Sequence, residues 1–285
     1  MELFKKLKEI NSRCESFSSR NMLEVLALKK GVKNVVRIPI KSHEWDMLKQ
    51  FCNDNDFSIC HSNFKISVVR KTTLGDVFTE NVSWDSNSEN IVGFVAYIAT
   101  SMKIAKKASN LESSADSFVL GRLYQYPNCC VKAYSDHIEE EGFWLDLLLK
   151  KTIGFNHSLY SNKLAYLINE TSIIPDYFPC SLNCKETIEL GKIYKNILLE
   201  CRLEDYYNDL KKNLIKPIVV GDGILFQFPE YLPHFNIQEC NKFIWKNKKK
   251  HFTFDSDDKV VIDYENNIAK VENKILGNLF QFEDR

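Results

Sequence analysis

The sequence predicts an α+β protein. A mixed α/β region covers residues 1–90, a helical region carrying a cysteine site covers 91–215, and a β-rich region covers 216–285. Three observations carry that reading. Apolar residues recur at helical spacing through most of the centre. After residue 216 the pattern changes to short β-branched runs separated by Gly, Asp and Asn, the composition of hairpins. Before residue 91 both patterns alternate.

Taken in order, residues 2–12 and 21–30 read as helices, the second stopped by Gly31. Val35 to Ile40 reads as a strand, Ser42 as the cap of a helix through Phe51, and 65–70 and 77–84 as two further strands. The apolar run 91–105 is interrupted by Lys103 and falls well short of the roughly 20 residues a membrane span needs. It reads as a buried strand passing into a helix. Helices follow over 102–112, 115–124, 129–141, 143–151, 162–169, 184–199 and 203–214. In the last region Pro217 to Phe228 reads as strand, Gly221-Asp222-Gly223 turn, strand. Residues 260–264 and 268–271 form a second hairpin, and 276–282 a closing strand.

Composition narrows the function classes. The 38 Lys+Arg cancel the 38 Asp+Glu, so nothing draws the whole chain to a polyanion or an anionic membrane. The exception is Lys246 to Lys250, a basic run beside Phe243, Trp245 and Phe252, which has the look of a nucleic-acid contact but also of a solvated loop. Hydrophobic content of 44% with 12% aromatic residues is that of a packed chain. The N-terminus has no uninterrupted apolar stretch of the secretory kind, and the 9 Cys are odd in number. These features point to a cytoplasmic protein with reduced thiols and no membrane partner.

Four of the cysteines fall in matched contexts. Tyr126-Pro127-Asn128-Cys129-Cys130 and Phe178-Pro179-Cys180-Ser181-Leu182-Asn183-Cys184 each follow an aromatic–Pro pair and open a helical stretch. Asn128 is a suitable N-cap, which makes Cys129 and Cys130 the first helical residues. Pro179 and Ser181 mark a second start near Cys180. The free N–H groups and dipole at a helix N-terminus favour thiolates. Two such starts brought together supply a ligand set of Cys129, Cys130, Cys180 and Cys184. That set suits an iron–sulfur cluster or a tetrahedral Zn²⁺.

The spacing favours the cluster over zinc: adjacent cysteines on a helix diverge by about 100°, which a larger centre tolerates better. The resulting expectation is an iron–sulfur enzyme of the 4Fe–4S kind acting on a small molecule or modified base. A zinc-stapled module binding a protein or RNA, and a metal-free redox dithiol enzyme, are the alternatives.

At these residues the chain resembles an uncharacterised archaeal and bacterial family. That family carries a Leu-Gly-x-Leu-x-Gly-Tyr-Pro-x-Cys-Cys motif and a later Pro-Cys-x-x-x-Cys motif. The first stands here as Leu120-Gly121-Arg122-Leu123-Tyr124-Gln125-Tyr126-Pro127-Asn128-Cys129-Cys130, with Gln125 in place of Gly. The resemblance, over about residues 90–200, implies that the two motifs form one site. It brings no activity with it.

Other polar residues are weaker candidates. His137 and Arg122 are the candidate catalytic groups, His137 two helical turns beyond Cys130 and Arg122 before it. Arg122 and Lys132 bracket the Cys pair and suit a phosphate or carboxylate, while His157 in a polar loop suits a substrate contact. Asp136 and Glu139 to Glu141 read as a solvated face. Cys14, Cys52, Cys60, Cys201 and Cys240 read as packing residues, and His43, His61, His234 and His251 have no supporting neighbours. No nucleotide-binding, hydrolase or radical S-adenosylmethionine motif is present.

Overall fold

The computed structural model describes residues 2–71, 77–86, 90–136, 143–169, 172–174, 177–221, 224–228, 234–236, 241–244, 259–263, 265–271 and 274–284. The α+β class is as expected. The chain divides into two compact units, one of residues 1–135 with 200–202, the other of 136–199 with 203–285.

The first unit opens with helices α1 (Glu2–Arg13) and α2 (Ser19–Lys29). Ser18 caps α2 through its side chain, and Gly31 ends it with φ +74°. The Gly31 N–H bonds the Leu28 carbonyl at 3.1 Å and the Val32 N–H bonds the Ala27 carbonyl at 2.9 Å, a Schellman ending. Strand β1 (Val35–Ile40) has the predicted bounds. The helix expected from Ser42 is instead a 3₁₀ turn, Ser42–Glu44, leading into α3 (Trp45–Asn53) without a side-chain cap. Here the buried Glu44 carboxylate accepts from the Lys41 N–H at 3.3 Å and from Ser16, so a distant pair organises the turn.

Strands β2 (Ser58–Lys71), β3 (Val77–Ser83) and β4 (Ile91–Ala99) complete an antiparallel sheet in the order β1-β4-β2-β3. The apolar run from Ile91 is therefore β4, the buried strand, followed by α4 (Met102–Ser113). Gly93 allows β4 to lie against β1, since a Cβ there would meet the Ile40 carbonyl oxygen at 1.9 Å. Helices α5 (Ser117–Leu123) and α6 (Asn128–Ser135) close the unit. One sheet face packs Val35, Phe64, Ile66, Val95, Tyr97 and Ala99 against Ala105, Ala108 and Tyr124, with Leu120, Leu123 and Tyr126 at the margin. The first cysteine motif is thus reached through residues anchored on a sheet.

The second unit contains α7 (Phe143–Lys151), β5 (Asn156–Ser158), a 3₁₀ turn Leu159–Ser161, α8 (Leu164–Asn169), α9 (Lys185–Glu200) and α10 (Glu204–Leu214). The β-rich end follows as β6 (Ile218–Gly221), β7 (Ile224–Gln227), β8 (His234–Asn236), β9 (Asn241–Ile244), β10 (Lys259–Asp263), β11 (Ile268–Val271) and β12 (Lys274–Glu283). The sheet order is β8-β10-β11-β12-β6-β7-β9, with β5 added parallel to the end of β12.

Two expectations need correction here. The strand read as closing, β12, is interior: it pairs with β11 and β6, and Leu279, Phe280 and Phe282 are all buried. The segment read as a polar loop around His157 is β5. Three residues are too few to display a strand's two-residue period. Gly191 brings α9 against the turn at Tyr160, where a Cβ would meet the Tyr160 Cβ at 2.6 Å. Among the described residues no helix is long and apolar enough to cross a membrane.

Candidate metal centre

The first motif is built by the end of one helix and the start of the next. Asp116 caps α5, its carboxylate accepting from the Val119 N–H at 3.0 Å. At the other end the Gln125 N–H bonds the Arg122 carbonyl at 3.0 Å and the Tyr126 N–H bonds the Gly121 carbonyl at 3.1 Å. This is the same Schellman ending that α2 makes, but the left-handed position is Gln125, at φ +59°. The geometry explains why glycine is the expected residue there: a side chain in that conformation costs about 1 kcal/mol. Pro127 follows, and its carbonyl accepts from both the Cys130 and Val131 N–H groups at 2.9 Å. Pro127 therefore takes the cap position expected of Asn128, which becomes the first residue of α6. Gly121 lets α5 rest on α6, since a Cβ at that position would lie 2.9 Å from Val131 Cγ2.

The ring of Tyr124 is fixed from behind. Its hydroxyl donates to Glu112 at 3.3 Å, as Tyr97 does at 2.9 Å, while Arg37 grips the same carboxylate through two nitrogens at 2.7 to 3.0 Å. Burial, with the Glu112 charge beside it, pushes the Tyr124 phenol well above its ordinary value, so it stays a donor. Tyr126 leans on Tyr124 with ring centroids 5.4 Å apart.

The second motif is a loop held residue by residue. The helix expected to start near Cys180 starts later. Cys184 is the residue before α9, its N–H bonding the Ser181 carbonyl at 3.2 Å and its carbonyl accepting from Ile188 at 3.0 Å. Cys180 precedes that turn. Leu182 is pinned on both sides: its N–H donates to Thr152 Oγ1 at 3.0 Å and its carbonyl accepts from Ser161 Oγ at 2.6 Å. Asn183 accepts from the Ile153 N–H at 2.8 Å and donates to His157 Nδ1 at 3.3 Å. His157 Nε2 in turn donates to the Gly154 carbonyl at 3.1 Å, and the imidazole stacks on Phe280. With its ring buried and both nitrogens engaged, His157 orients Asn183; the substrate contact expected of it is not what this placement provides.

These placements bring the four sulfurs together. Cys129 and Cys130 have Sγ atoms 3.8 Å apart, and the Sγ atoms of Cys129, Cys130, Cys180 and Cys184 all lie within 4.8 Å of one another. Cys130 and Cys184 are buried, at 2% and 6% exposure, while Cys129 and Cys180 are half-buried. A cluster of four such cysteines could bind a metal. The divergence expected of neighbouring helical cysteines does not keep the sulfurs of the first pair apart.

The remaining candidates fall elsewhere. Arg122 and Lys132 are exposed, as are Asp136 and His43. His61 lies among Trp45, Trp84 and Phe94, stacked on Trp84 at 4.9 Å. Cys14 and Cys52 are buried thiols: burial pushes Cys14 up to about 11, helped by Glu44, and Cys52 up to about 12. Burial also raises Cys60, and Cys201 is half-buried. His137, Glu139 to Glu141, Cys240, Lys246 to Lys250 and His251 lie outside the described residues.

Thr152, Ser161, Asn183 and Glu112, which hold the motifs, were not marked by the sequence pattern. Their residue types are those of ordinary surface and loop positions, and only Asn183 lies inside a motif.

Residues 95–214, which include both motifs, match a family model described as "Protein of unknown function (DUF483)". Over that stretch the chain resembles an uncharacterised family, as expected. The Uncharacterized protein MJ1106 of Methanocaldococcus jannaschii is 34% identical over 79 residues, which cover 27% of this chain and 39% of that protein. No solved structure matches the chain at a significant level.

Proposed function

We propose that Cys129, Cys130, Cys180 and Cys184 bind one tetrahedral Zn²⁺ and that this centre is structural. The observation carrying the reading is the compactness of the sulfurs. Four thiolates about 2.3 Å from a single zinc ion stand about 3.8 Å from one another. The Cys129–Cys130 pair has that separation and no pair exceeds 4.8 Å. A 4Fe–4S cluster binds each thiolate to a different iron, which spreads the sulfurs over the cluster's outside and suits this spacing less well. With four thiolates bound, the ion has no open position for water or substrate, the mark of a structural rather than a catalytic zinc. On this reading the chain is a zinc-stapled binding module, and the metal supplies folding energy rather than turnover.

The test is metal analysis of protein purified without oxygen. The expected result is colourless protein with about one zinc per chain, lost in both Cys130→Ala and Cys184→Ala. Brown protein containing iron and acid-labile sulfide would overturn the zinc reading in favour of the cluster. Full metal occupancy in both variants would overturn the ligand set.

A further inference from the structure

We infer that Lys33 and Lys163 are positioning residues of the metal centre, each an ammonium in contact with two aromatic rings, one of them the aromatic residue that enters a cysteine motif. The inference rests on the four-thiolate zinc reading.

The two contacts match although their sequences do not. In the first, Lys33 Nζ lies 5.2 Å from the ring centroid of Tyr126 and 5.8 Å from that of Tyr124. In the second, Lys163 Nζ lies 5.6 Å from the centroid of Phe178 and 4.2 Å from that of Tyr166. All four distances are within the roughly 6 Å over which a ring quadrupole attracts a cation, and the attraction grows when the pair is desolvated. Both lysines are desolvated, with 2% of Lys33 and none of Lys163 exposed. Lysine is seldom buried this fully without a specific partner. Lys33 also forms a 3.1 Å pair with the buried Glu24, which holds the ammonium in place under the rings.

What the rings position follows from the chain. Tyr126 precedes Pro127 and Phe178 precedes Pro179, and both prolines are buried. Proline fixes its own φ near −65° and restricts the residue before it. A ring held at that preceding residue therefore leaves few free torsions before the thiolate: Cys180 follows Pro179 directly, and Cys129 follows Pro127 by two residues. The lysines thereby set where the sulfurs stand without touching the ion. Outer groups that orient ligands in this way influence metal affinity strongly.

The experiment measures zinc affinity of the full chain by competition with a chromophoric chelator, together with the visible spectrum of the Co²⁺-substituted protein. Lys163→Met keeps the length of the side chain and removes the charge. Phe178→Leu removes the ring and keeps the ammonium, so it reads the same contact if Lys163→Met does not fold. Tyr126→Leu reads the first contact, where Lys33→Met would strand Glu24.

Each variant is expected to raise the zinc dissociation constant about 10- to 100-fold and to shift the Co²⁺ bands, while Lys163→Arg and Phe178→Tyr stay within about threefold of the parent. Affinities within about twofold of the parent in Phe178→Leu and Tyr126→Leu, with unshifted Co²⁺ bands, would overturn the positioning role. So would a Lys163→Arg protein as impaired as Lys163→Met. A parent chain that binds no zinc would instead overturn the metal reading itself.

Discussion

The two cysteine motifs begin alike, with an aromatic residue and a buried proline, and are then held by different means. The first is held by backbone. A Schellman ending, the Pro127 carbonyl and the fit of Gly121 to Val131 place Cys129 and Cys130 in the first turn of α6. The second is held by side chains reaching in from elsewhere: Thr152, Ser161 and Asn183 take the polar groups of the loop between Cys180 and Cys184. A motif held by its own backbone tolerates substitutions of its neighbours as long as the helices pack. One held by distant hydroxyls and an amide fails when a single polar partner is removed.

The largest expected effect is on the second motif. Ser161→Ala, which strands the buried Leu182 carbonyl, should cost about 1 to 2 kcal/mol in denaturant unfolding. Asn183→Ala removes two hydrogen bonds, but Asn183 and Ile153 are exposed and water can replace the lost acceptor, so it should cost about 1 kcal/mol. Losses below about 0.5 kcal/mol in both would erase the contrast between the motifs.

The first motif should break through packing instead. Gly121→Ala drives a methyl into Val131 and should cost about 1 to 2 kcal/mol, much of it recovered in the Gly121→Ala/Val131→Ala double variant because the clash is local. A double variant no more stable than the sum of its parts would refute that contact.

Acid should weaken the second unit's scaffold selectively. The turn that carries Ser161 also carries Tyr160, whose hydroxyl donates to Asp284; Lys211 lies 2.7 Å and Lys195 3.4 Å from the same carboxylate. Burial raises the Asp284 pKa, but the hydrogen bonds from Lys211 and Tyr160 and the Lys195 charge outweigh it and hold the carboxyl well below its ordinary 3.8. A depressed carboxylate pKa contributes stability that is present above the unfolded value and is lost as pH falls towards the folded one. Stability measured downward from about pH 5 should therefore decline through this group, and Asp284→Asn should flatten that part of the curve while costing about 1 kcal/mol at neutral pH, where partial exposure screens the ion pairs. An unchanged acid limb in Asp284→Asn would refute the assignment.

The smallest effect is a gain. Gln125→Gly relieves the left-handed conformation at the end of α5 and should add about 0.5 to 1 kcal/mol. The comparison is internal, since the matching position in α2 is already Gly31. A loss of stability would show that the Gln125 side chain makes up for its backbone.

The same contrast explains what could be read in advance. Gly31 as a stop, β1 from Val35 to Ile40 and the passage of β4 into α4 were all visible, because local pattern and tertiary burial agree there. The four cysteines stood out because their aromatic–Pro contexts repeat. The residues that hold them did not. Thr152 and Ser161 act on Leu182 from 30 and 21 residues away, and no short-range pattern records that reach. Lys33 and Lys163 carry a residue type that ordinarily marks the surface, and their burial is offset by partners the pattern does not announce, among them Glu24 for Lys33 and aromatic rings for both. His157 reads as a loop residue because β5 is three residues long and exists by pairing with β12, more than 120 residues later. The expectation of an Fe–S cluster rests on the assumption that helical neighbours diverge. The first turn of α6, with its sulfurs 3.8 Å apart, does not follow that assumption.

The most direct test of the four-thiolate centre is X-ray absorption at the zinc edge on protein purified without oxygen. The account predicts a single shell of four sulfurs at about 2.3 Å with no metal–metal scattering. A shell containing nitrogen or oxygen, or zinc absent and iron present with an iron–iron distance, would contradict it.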